Sequence, residues 1–163
     1  MWCGAYAQVL PDRRHTLTTA YLLWSGPAGF EGLVLESPRG IPILVSQQSF
    51  SDALLRRVSS GSDLWFQVSE GRGSRVLLRT SMVRSMVRAP RECMETASDL
   101  AAHFSDARRS DEVKVMFTDS RHVAKRGGRA GQLKEAKRLG VIWAKPVRVV
   151  DVVRDAQEEQ GWL

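Results

Sequence analysis

An α+β fold is predicted for this 163-residue chain: a mostly antiparallel sheet of two hairpins plus C-terminal strands, with one long and one short helix packed on it. Three observations predict it. Two pairs of short apolar stretches each flank a Gly-containing turn, a segment of helical period follows Pro90, and strand-like alternation resumes at Val113. A period of two buries one face of a sheet and a period of 3.6 buries one stripe of a helix, so the helix and the strands on either side of it must cover each other.

The first hairpin joins Gly32-Leu33-Val34-Leu35 to Ile41-Pro42-Ile43-Leu44-Val45 through Glu36-Ser37-Pro38-Arg39-Gly40, whose Pro and Gly suit a tight turn. Residues 49 to 58 begin with a capping serine and predict a short helix, broken at Ser59-Ser60-Gly61-Ser62. The second hairpin spans residues 63 to 79. Centring its loop on Arg72 sets Phe66 opposite Leu78 and Val68 opposite Val76 on a core face. Trp65 then opposes Arg79, and Ser69 opposes Arg75, on an outer face with Gln67 and Leu77. On that face Trp65 is a candidate for base stacking and for a cation–π contact with Arg79, the alternative being ordinary packing.

Pro90 is placed as the first residue of the long helix, which is expected to reach about Arg108. Met94, Ala97, Leu100, Ala101 and Phe104 gather on its apolar side, and Glu92, Glu95, Asp99 and Asp106 on the side shown to solvent. Val113, Val115 and Phe117 alternate as a strand, 119 to 138 is a basic connection, and Gly140 to Val153 reads as one or two strands broken near Lys145-Pro146. The chain is accordingly divided into an N-terminal extension (1–29), one domain (30–153) and a short acidic tail (154–163), helical or loose. Trp143 and Trp162 are expected to be buried anchors.

The net charge is +6, and its distribution says more than its size. Between Val113 and Arg148 ten Lys/Arg face two acids, which is +8 and leaves the rest of the chain at −2. Such a concentration is the footprint of a polyanion-binding surface. Within it, Arg121, Lys125, Arg126, Arg129, Lys134, Lys137 and Arg138 stand against the single acid Glu135. The hairpin adds Arg72, Arg75 and Arg79, and its Arg72-Gly73-Ser74-Arg75 turn could either offer backbone N–H groups to a phosphate or be a solvated loop.

Cys3 and Cys93 have no metal-site spacing and point to a reduced, intracellular setting. Cytoplasm and organelle stay open, since Arg13-Arg14 follow the first acid, Asp12. No stretch has the length of a membrane span. His15, His103 and His122 have no Ser, Cys or carboxylate at a telling spacing, and no Gly-rich loop is followed by Lys-Ser/Thr. The expectation is a protein without catalytic activity, metal or cofactor.

Asp63-Leu64-Trp65-Phe66, then Gly73-Ser74-Arg75-Val76 and Arg79, resembles the Asp-x-Trp, Gly-Ser-His-Val and Arg signature of the NFACT-R domain family. The flanks agree in order: Arg39 to Val45 and Ser51-Asp52-Ala53-Leu54 upstream; Ala97 to Ser105, Val113-Lys114-Val115, Val123-Ala124-Lys125-Arg126 and Gly131-Gln132 downstream. The resemblance covers roughly residues 30 to 152. Two family histidines are replaced by Gln67 and Arg75, and Ser46-Gln47 stands where a Gly-Arg pair is usual. Any imidazole role is therefore lost, while Gln67 and Arg75 retain hydrogen bonds for nucleic acid. Larger members of the family carry this domain beside an N-terminal domain and a coiled coil, and act on stalled large ribosomal subunits with tRNA. The resemblance implies a free-standing R domain that binds rRNA or tRNA in a ribosome or a ribosome-associated quality-control complex, with ribosomal proteins as further partners. A protein-interaction subunit of a larger, organellar ribosomal assembly and a DNA-binding relative are the alternatives.

Overall fold

The computed structural model describes residues 32–46, 58–83, 88–123 and 139–161. The N-terminal extension, the short helix expected over 49 to 58 apart from Val58, Trp162, and the basic residues Lys125, Arg126, Arg129, Lys134, Lys137 and Arg138 lie outside those residues.

The strands are β1 (Gly32–Glu36), β2 (Pro42–Ser46), β3 (Leu64–Val68), β4 (Val76–Leu78), β5 (Val113–Asp119) and β6 (Gly140–Ala144). Among the described residues they are joined by two α-helices, α1 (Arg91–His103) and α2 (Val150–Glu159). One six-stranded sheet runs in the order β1-β2-β4-β3-β5-β6 with antiparallel pairing throughout. The α+β class and the two hairpins are as the alternation predicts. The first hairpin turns at Gly40, whose φ of 77° is a left-handed conformation that side chains resist, and Ser37 Oγ accepts the Ile41 N–H there.

Helix α1 covers one face of the sheet. Ala97, Leu100 and Ala101 pack there against Leu33, Ile43, Phe66, Val76, Leu78 and Val115, all buried. A second, smaller cluster lies on the other face, where Val34, Leu44, Trp65 and Leu77 meet Val58 and Val123.

Four expectations are corrected. The second hairpin pairs Leu64 with Leu78, Trp65 with Leu77 and Phe66 with Val76, so the register is shifted by two residues from one centred on Arg72. A shift of two preserves the faces, and Phe66 and Val68 remain on the core side. The loop is centred instead on Gly71, which takes a φ of 79°. Helix α1 starts one residue after Pro90 and ends at His103, because the following residues turn back to the hairpin loop, where Asp106 N–H donates to the Arg72 carbonyl.

Asp99 is buried, not solvent-facing. The chain after β6 folds over it: Lys145 N–H donates to Oδ1 at 2.7 Å and Arg148 Nε lies 2.9 Å from Oδ2. Finally, only Gly140–Ala144 is strand in the C-terminal region; a 3₁₀ turn at Pro146–Val149 leads into α2. Val153 and Ala156 of α2 are buried, and the Gln160 side chain donates to the Val34 carbonyl and accepts from the Val34 N–H. This side chain occupies backbone groups of the edge strand β1 that would otherwise be open to another strand.

Candidate nucleic-acid interface

The residues that carry the Asp-x-Trp, Gly-Ser and Arg signature are largely internal. Asp63 is fully buried; its carboxylate accepts from Ser60 N–H (2.8 Å) and Ser81 N–H (2.9 Å) and forms an ion pair with Arg79, whose Nε lies 2.9 Å from Oδ2. Arg79 is 11% exposed, and burial pushes its pKa down against the upward pull of Asp63. It is a structural cation tying β4 to the loop before β3, which corrects its placement opposite Trp65 and in a binding role. Trp65 has 0% exposure and offers no face to a base, so its stacking role is corrected as well. It sits between β4 and β5, where Leu77, Val58 and Val123 complete its packing.

Gly73 and Ser74 join the hairpin loop to the end of α1. A side chain on Gly73 would meet Ser105 Cβ at 2.9 Å and Val68 Cγ2 at 3.2 Å, so only glycine lets the two backbones approach. Ser74 N–H donates to the Phe104 carbonyl, and Arg72 N–H to Asp106 Oδ2. Those two backbone donors serve the fold, which removes them from the phosphate nest considered for this turn.

Arg72 and Arg121 are exposed. Arg121 follows β5 in a 3₁₀ turn, with Nη2 3.2 Å from Asp119 Oδ2, at the point where the basic segment begins. Arg75 is half-buried beside β3 on the face opposite α1. Its Nη1 donates to the Gly73 carbonyl at 2.7 Å, and burial lowers its pKa. The structure does not bring these three together. Arg75 precedes the Phe66–Val76 pair, whereas Asp119 pairs with Leu64 at the opposite end of the β3–β4 ladder.

Two residues outside the predicted site, Lys114 and Trp143, lie on the side of the sheet opposite α1. Lys114 is exposed and pairs directly with Trp143 across β5 and β6. Trp143 is 60% exposed, not the buried anchor expected of it. Ala144 and Ile142 turn toward α1, so the alternate positions Val141 and Trp143 face the other way on an edge strand. The available signal was Lys114 between Val113 and Val115: whatever pairs with it shares its side. In the next row Met116 pairs with Val141 and Gln67 with Met116. The Gln67 amide accepts from Trp65 Nε1 at 3.3 Å and donates toward Met116 Sδ at 3.8 Å. Along β3, β5 and β6 this face has no acidic strand residue.

Among the described residues no group of three or more His, Cys, Asp and Glu side chains could hold a metal ion, and no helix is long and apolar enough to cross a membrane.

No protein-family model matches the chain. Over 94 residues it is 33% identical to the Rqc2 homolog RqcH of Bacillus subtilis, a match covering 57% of this chain and 15% of RqcH. The chain therefore corresponds to a small part of that protein. The fold is shared with the C-terminal part of the fibronectin/fibrinogen-binding protein of Streptococcus suis, at a TM-score of 0.65 and 23% identity over 77% of this chain and 49% of that one.

Proposed function

We propose that this chain is an NFACT-R-type module that binds structured RNA, rRNA or tRNA, in or on a ribosome or ribosome-associated quality-control complex, without catalytic activity of its own. The observation that carries the proposal is the 94-residue similarity to RqcH. It agrees with the ordered motifs around Trp65 and Gly73, and so supports the ribosomal association that the larger family members have. RNA as the ligand is supported by the +8 segment from Val113 to Arg148 and by the exposed Lys114 beside the exposed Trp143 on β5 and β6. Arg72, Arg121 and the basic residues from Lys125 to Arg138 supply phosphate contacts, and ribosomal proteins are further neighbours. DNA is a weaker ligand for the same cations.

Co-sedimentation of the tagged chain with ribosomal subunits, cytosolic and organellar in separate runs, tests this reading. The expected result is association with a large subunit that is lost in high salt; recovery only at the top of the gradient at every salt concentration refutes it. A protein-interaction subunit is the second reading, favoured by Val147 at 74% exposure with Val150 and Val152 also exposed. Crosslinks from Arg126 and Arg129 to protein and never to RNA select it.

A further inference from the structure

We propose that Trp143 and Lys114, paired across β5 and β6 on the side opposite α1, hold an unpaired nucleotide, its base stacked on Trp143 and its phosphate drawn to Lys114. This deepens the RNA-binding reading and rests on it. Trp143 keeps 60% of its surface in water although large aromatic side chains are strongly favoured inside. Its exposure follows from the ladder: Ala144 and Ile142 are committed to the α1 side, and among the described residues β6 is the edge strand. The indole is therefore reachable both from above the sheet and from its edge.

The surroundings select a nucleotide over an apolar partner. Lys114 stands directly across from Trp143, at the separation of about 4.5–5.5 Å between Cβ atoms of paired residues, which sets an ammonium beside the ring. The next pair, Met116 and Val141, is half-buried and gives an apolar floor. Past it, Gln67 is oriented by Trp65 and Met116 and belongs to the same row. Aromatic surface, an oriented amide and the Lys114 ammonium are complementary to a base, its polar edge and its phosphate. The base must be unpaired, because a base within a duplex is already stacked on both faces and cannot receive an indole.

The test is binding of the full chain to a labelled single-stranded RNA and to a blunt duplex RNA of equal length, followed by fluorescence anisotropy. Trp143→Ala is expected to weaken single-strand binding by about 5- to 150-fold, with duplex binding unchanged and Trp143→Phe close to the parent. Lys114→Ala is expected to lower the salt slope for the single strand by about one. Unchanged single-strand affinity in Trp143→Ala, or an equal loss on both RNAs, overturns the stacking site and leaves the RNA-binding reading standing. No binding of either RNA by the parent chain at low salt overturns both.

Discussion

Arg79 Nε lies 2.9 Å from Oδ2 of a fully buried Asp63, and this contact takes two residues of the hairpin signature out of the binding surface and into the frame. The carboxylate also receives the Ser60 and Ser81 N–H groups, so it fixes the loop before β3 and the turn after β4 together. Breaking a buried ion pair from one side costs about 3–5 kcal/mol, whereas replacing both partners by apolar residues costs much less. Asp63→Ala is expected to lose that amount of stability in urea unfolding, and the double change Asp63→Leu with Arg79→Met to recover part of it.

The two tryptophans have opposite roles. Trp65→Ala empties the middle of the second cluster and is expected to cost about 3–5 kcal/mol. Trp143→Ala removes an exposed side chain and is expected to cost less than about 1 kcal/mol. Chemical denaturation of both variants checks the contrast; equal losses contradict it.

Gly73→Ala inserts a methyl group 2.9 Å from Ser105 Cβ, where the loop meets the end of α1. Overpacking of this kind costs about 1–3 kcal/mol. The accompanying loss of amide protection should centre on Ser74, whose N–H bonds to the Phe104 carbonyl. Hydrogen exchange at that amide reads it directly.

Two groups on α1 tilt the pH profile of stability in opposite directions. Desolvation raises the Asp99 pKa despite the Lys145 N–H and Arg148, so the folded state holds the proton longer than the unfolded one. Stability from this group is complete below the unfolded value of about 3.9 and is lost as pH rises through the raised folded value. The His103 pKa is lowered by burial and then by Arg108, against the pull of the Pro146 carbonyl. Its contribution is complete above the unfolded value of about 6.5 and is lost as pH falls through the lowered folded one. Urea midpoints from pH 4 to 7.5 should rise more slowly on acidification in Asp99→Asn than in the parent, and should fall less below pH 6.5 in His103→Asn.

Much of the fold was legible because it rests on local patterns. Pro38 and Gly40 mark the first turn, Phe66 and Val68 mark a core face, and Ala97, Leu100 and Ala101 mark the stripe that α1 buries. The site was less legible because exposure is decided by distant segments. Nothing near Trp65 in sequence announces that Val58 and Val123 close over it, and nothing near Asp99 announces the arrival of Lys145 and Arg148. Trp143 could have been placed only from its pairing with Lys114, since a tryptophan taken alone reads as core. The two-residue register shift went unseen because it leaves every side chain on its own face.

The salt dependence of RNA affinity for the full chain and its arginine variants separates phosphate contacts from structural cations. A linear fall of log K with log salt is expected, with a slope smaller by about one in Arg72→Ala and in Arg121→Ala at unchanged stability, and lower stability in Arg79→Ala. RNA binding indifferent to salt, or no RNA binding at low salt, contradicts this expectation.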